Sequence, residues 1–92
     1  MRAFDQGSLV RVTISEREVW DFKQNWPCSG LPNVGLSFVF DKDNGDLKDA
    51  HPDTKLRNAD GAALNAIIDN AKDYAKEKGL MAHIPLPSGF RW

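Results

Sequence analysis

The sequence predicts an α+β fold: a small antiparallel sheet with two helices packed on one face, in the order β-α-β-β-α. Three observations carry this expectation. Residues 8–14 (SLVRVTI) and 34–41 (VGLSFVFD) alternate with the period of two that marks strands. Residues 60–79 (DGAALNAIIDNAKDYAKEKG) repeat with the period of a helix. Between the second strand and that helix, Asn44-Gly45 is a strong hairpin signal, because both residues tolerate positive φ.

The first seven residues show no pattern beyond a lone Phe4. In the run that follows, Val10, Val12 and Ile14 share one face, and Leu9, Arg11 and Thr13 the other. Ser15-Glu16-Arg17-Glu18 then reads as a capping box. The Ser15 hydroxyl accepts from the Glu18 amide while the Glu18 carboxylate reaches back to the Ser15 amide. Ile14 and Val19 occupy the staple positions on either side of it. The helix presents Val19, Phe22 and Trp26 at i, i+3 and i+7, with Trp20 on the flank. Pro27 disfavours the helical conformation for Trp26 and ends the element.

Residues 27–33 form a stiff loop with two prolines. In the second strand Leu36, Phe38 and Phe40 alternate with Ser37, Val39 and Asp41. Residues 46–50 form the return strand. A two-residue turn sets Asp49 opposite Phe40. A three-residue turn with a bulge at Gly45 sets Lys48 there, and is favoured because a lysine stem lies well along a ring. Residues 51–59 read as a loop anchored by Leu56.

In the long helix the apolar stripe runs Leu64, Ile67, Ile68, Ala71, Tyr74, Ala75. Asp60 is suited to accept from the free amides of its first turn, and Gly79 to take the left-handed position after its last. At ~1.5 Å per residue the helix is about 28 Å long, enough to organise a chain of this size. Residues 80–84 are a candidate C-terminal edge strand, which Pro85 and Pro87 then terminate.

Ninety-two residues make one domain, 1–92. The net charge of −1, with basic residues scattered rather than striped, argues against a dedicated nucleic-acid binder. No apolar run approaches the ~20 residues of a membrane span, and the first ten residues lack a signal-peptide core. One cysteine forms no internal disulfide, which fits a reducing compartment; the expected location is the cytoplasm.

Three groups of residues are candidates for chemistry. Cys28 pairs in principle with His51 or His83 as a thiolate nucleophile, but it follows a helix C-terminus, whose dipole raises a thiol pKa. Asp41, Asp43, Asp46, Asp49 and Asp53 resemble an oxygen-rich calcium loop. Counting from Asp41, however, puts Asp46 where the EF-hand turn requires glycine. A solvated turn, or an acidic knob for a basic partner, fits better. The two histidines have no metal-ligand spacing. The third group is aromatic. Trp20, Trp26, Phe90 and Trp92, with Arg91, combine the residue types that anchor protein interfaces. The competing reading folds the C-terminal tail over the first helix to complete the core.

The function these features favour is a small non-catalytic module that binds another protein, of the kind used as a bacterial or phage accessory factor. No cofactor is expected. Self-association through an edge strand or the tail is the variant of that reading. A small enzyme or ligand-binding domain using Cys28 and a histidine comes next, and a nucleic-acid-binding accessory protein third. The first two separate on thiol chemistry. Alkylation of Cys28 by iodoacetamide should show ordinary or raised pKa, and half-maximal reactivity well below pH 7 would favour the enzyme.

Overall fold

The computed structural model describes residues 1–26 and 30–81. Among them, β1 (Arg2–Gln6), β2 (Leu9–Ile14), β3 (Leu36–Asp41) and β4 (Leu47–His51) form one antiparallel sheet in sequence order. The helices are α1 (Glu16–Asn25), α2 (Asp53–Leu56) and α3 (Gly61–Glu77). The α+β class and the helices on a small sheet are as the periodicities predict. Two elements are additional: β1 and α2.

β1 escapes periodicity because it has none. Only Ala3 and Phe4 of RAFDQ are apolar, and Ala3 alone of these faces the core, opposite Val12. The strand exists because the outer edge of β2 would otherwise leave its amides and carbonyls unpaired. Gly7, at φ +74, makes the reversal between Gln6 and Leu9 in two residues, the hairpin geometry that wants glycine first. The tip of this hairpin is tied to the next one. The Lys42 amide donates to the Ser8 carbonyl at 3.1 Å, and the Lys42 ammonium pairs with Asp5. That contact with Lys42 holds the Asp5 carboxyl below its usual range.

The β3–β4 hairpin differs from both expected registers. Asp41 and Asp46 close a four-residue loop, with the Asp41 amide donating to the Asp46 carbonyl at 2.9 Å and Gly45 at φ +76. Phe40 therefore faces Leu47, and Val39 faces Asp49, leaving Lys48 as the extra residue of a bulge. A lysine does lie over Phe40, but it is Lys72 of α3, with Nζ 5.9 Å from the ring centre.

The core lies between one face of the sheet and the helices. Val10, Val12 and Ile14 from β2, and Leu36, Phe38 and Phe40 from β3, pack with Val19, Leu31, Leu56 and Ile67. In α3 the buried line is Ala63, Ile67, Ala71, Ala75, while Leu64, Ile68 and Tyr74 are only half-buried. The stripe is rotated from the one expected. Three alanines on the line let the helix backbone lie close to β2 and β3, and the longer side chains flank that contact.

Helix ends follow local chemistry. The Ser15 hydroxyl accepts from the Glu18 amide at 3.2 Å, and the Glu18 carboxylate accepts from the Ser15 amide at 3.1 Å. The second Glu18 oxygen pairs with the α-amino group of Met1. Burial opposes its ionisation, but the Met1 amine and the Ser15 amide and hydroxyl outweigh that and hold the Glu18 carboxyl below its ordinary value. At the other end of the chain, Leu80 donates to the Ala75 carbonyl and Gly79 to that of Lys76, both at 3.0 Å, with Gly79 at φ +72. That is a Schellman closure. Asp60 stands at the N-cap of α3 in an extended conformation, yet its side chain makes no cap hydrogen bond, contrary to expectation.

α2 forms where a loop was expected because Leu56, 3% exposed, has to reach the core in few residues. One helical turn does this, closed by the Leu56 amide on the Pro52 carbonyl and by an Arg57–Asp53 pair at 2.7 Å. The expected edge strand over residues 80–84 lies mostly outside the described residues; Leu80 and Met81 are not in a strand.

Ile67→Ala should destabilise the protein by about 2–5 kcal/mol, the range for a buried aliphatic truncation. A loss below ~1 kcal/mol in a urea melt would remove α3 from the centre of the core. For the cap, Ser15→Ala should cost about 0.5–2 kcal/mol, and adding Glu18→Ala should be less than additive. The same box predicts a pH effect. Glu18 has a lowered folded pKa, so its contribution is present above the ordinary value of 4.5 and disappears as pH falls through the folded value. Acid titration of wild type against Glu18→Gln should show their stability difference shrinking below that pH.

Candidate functional site

The exposed large apolar side chains among the described residues are Phe4, Trp20, Trp26 and Leu47. Two of these are the tryptophans singled out in the sequence: Trp20 lies within α1 and Trp26 is its C-cap. The helix meets the core through Val19, fully buried, and through the half-buried Phe22. Trp20 is one residue, or ~100°, further round and so leaves the interface. It is 47% exposed.

Trp26 is the C-cap, where its amide still donates to the Phe22 carbonyl at 3.0 Å. Its ring lies parallel to that of Phe22, with centroids 6.3 Å apart, and remains 45% exposed. The offset stack places the indole as an outward extension of a ring that is itself packed on the core.

Around Trp20 the surface is held in shape. The Arg17 guanidinium sits 5.4 Å from the indole centre and contacts Asp21 one turn on at 3.4 Å. Ser15, Glu16, Arg17, Trp20 and Asn33 line a depression of about 450 Å³. Its far wall is pinned from below, for Lys23 donates to the Leu31 carbonyl at 2.8 Å and to Asn33 Oδ1 at 3.1 Å. Leu31 itself is fully buried, which anchors the loop to the core. Gly30 allows this loop to approach the 58–59 backbone, because a Cβ there would stand 2.1 Å from the Asn58 carbonyl oxygen. The surface is thus an indole, a guanidinium and a polar rim beside a loop anchored by Leu31 and Lys23.

Phe90, Arg91 and Trp92 lie outside the described residues, as do Cys28 and His83. The pairing of Cys28 with a histidine therefore has only one placed member, His51, exposed at the end of β4. No ring contact joins Trp20 to Trp26 among the described residues. The acidic hairpin uses its side chains locally. Asp41 Oδ1 accepts from the amides of Asp43 and Asn44, at 2.8 and 3.3 Å, and Asn44 Oδ1 accepts from that of Asp46 at 2.9 Å. These are turn-forming bonds. No group of three or more His, Cys, Asp or Glu gathers in a metal-binding arrangement among the described residues.

The sheet face turned away from the helices is assembled from all four strands. Cross-strand register sets Phe4, Arg11, Val39 and Asp49 in one row, and Arg2, Thr13, Ser37 and His51 in the next. Phe4 is exposed, while Val39 is buried even here, at 5%. Alternation in β2 and β3 gives half of this face; the other half comes from β1 and from the register of β4. Among the described residues no helix is long and apolar enough to cross a membrane. Comparison with protein-family models, characterised proteins and solved structures finds no match to this chain.

Proposed function

We propose that this protein is a non-catalytic module that binds another protein through the outer face of α1, with Trp20 as the anchor. The single observation that carries the reading is an indole 47% exposed, flanked by an arginine, on a helix whose opposite side is fixed in the core. Tryptophan and arginine are the residue types that most often dominate binding energy at interfaces. Trp26 extends the same helix's apolar surface at its C-terminal end. A cytoplasmic accessory role belongs to this proposal, with the single cysteine as its support. Self-association through the same face is the form it takes if the partner is a second copy.

Trp20→Ala should leave stability within about 0.5 kcal/mol of wild type in a urea melt, because the ring is exposed. It should weaken partner binding by ~2 kcal/mol or more, roughly thirtyfold. Affinity capture from the source organism, run in parallel with wild type, Trp20→Ala and Trp26→Ala, reads the second effect, and light scattering reads self-association. A partner retained equally by all three proteins would move the interface away from α1. A stability loss of several kcal/mol for Trp20→Ala would make the ring structural instead.

A further inference from the structure

A second site stands at the end of the sheet where β2 and β4 finish and β3 begins. Thr13 is the cross-strand partner of Ser37, and Ser37 of His51. Adjacent strands lie about 4.8 Å apart, so these three side chains stand side by side on the face turned away from the helices. Lys55 on α2 closes one side of the groove they border, with Val34 and Pro52 supplying apolar wall. The groove is shallow and open, with a volume of about 510 Å³.

The polar groups here are all able to donate, and no carboxylate lines the groove. Arg11 Nη1 donates to Ser37 Oγ at 2.7 Å. With one lone pair of that hydroxyl engaged by a cation, its proton is left for an acceptor in the groove, and the guanidinium adds positive charge behind it. The side chains of His51 and Lys55 make no hydrogen bond or ion pair among the described residues. The acids two residues away from His51 and from Lys55 in sequence have partners of their own. Asp53, on the same short helix, pairs with Arg57, and Asp49 accepts from the Ala50 amide at 2.9 Å. A cluster of donors and an ammonium with no salt bridge among the described residues, set beside apolar wall, suits an anionic ligand.

We infer that this groove binds a small organic anion: a carboxylate or phosphate ester on a compact apolar body. The charged head is held by Lys55 and by the Ser37 and Thr13 hydroxyls, with His51 beside it. The body lies against Val34 and Pro52. The site is separate from the α1 surface and stands or falls without it.

The test is a titration of the full chain, ¹⁵N-labelled, at neutral pH, followed by amide shifts. Phenyl phosphate and benzoate are the probes, with inorganic phosphate and benzyl alcohol as controls that keep only the charge or only the ring. Saturable shifts centred on Thr13, Ser37, His51 and Lys55 with either probe, tighter than with both controls, support the inference. They also say which head group is preferred. Lys55→Met keeps the stem and removes the charge, and should weaken the bound probe roughly tenfold without changing the thermal melt. Ser37→Ala provides a second, uncharged deletion in the same site. Absence of saturable shifts with both probes, equal binding of either control, or full affinity in both variants would overturn it.

Discussion

The pairing of β2 with β3 is the constraint on which the rest depends. It joins two strands 22–32 residues apart in sequence and places three β-branched side chains against two phenylalanines and a leucine on one face. Every other described element is added to this pair. β1 covers one edge, β4 the other, and the helices cover the apolar face. The register is strongly determined because a slip of one residue would turn Val10, Val12 and Ile14 to the opposite face and bring Arg11 and Thr13 into the core. Long-range pairing of this kind gains its contact energy only after a loop has closed, so local signals along the intervening chain matter.

The strongest of those local signals opens α1. A reciprocal cap sets the angle at which the helix leaves the strand, and thereby which residues meet the core. Val19 goes in and Trp20 is left out as a consequence of helical geometry. The lysine at position 23 then binds the return loop to the same helix, so that the exposed indole, the cap and the loop adjoin on one surface. An exposed indole with a guanidinium beside it, followed by a second exposed indole at Trp26, is the surface on which the proposed interface rests.

The sheet has a different economy on its two sides. The helix side is apolar and closed, built from alternate residues of β2 and β3 and from alanines in α3 that permit close approach. The other side combines hydroxyls, arginines, a histidine and a single exposed phenylalanine, with Val39 buried among cross-strand neighbours. It is the register among four strands, together with the turn of α2, that gathers Thr13, Ser37, His51 and Lys55 from positions spread over some forty residues of chain.

What was legible in the sequence was whatever depends on near neighbours. The capping box needs only four residues, the Schellman closure only the last turn of α3 and Gly79, and the alternation in residues 9–14 and 36–41 is local by nature. What tertiary structure decided is where competing partners exist. RAFDQ has no strand signal of its own and becomes one because the edge of β2 needs partners. The hairpin register turned on a four-residue loop and a bulge at Lys48, choices separated by small energies in the isolated segment but not once Phe40 must fit beneath α3. Asp60 has the residue type of a cap without making the bond, since a flanking carboxylate can be directed elsewhere. The α3 stripe rotated towards its alanines because closeness to the sheet, a property of two elements together, outweighed the larger side chains that one helix alone would have put at the centre.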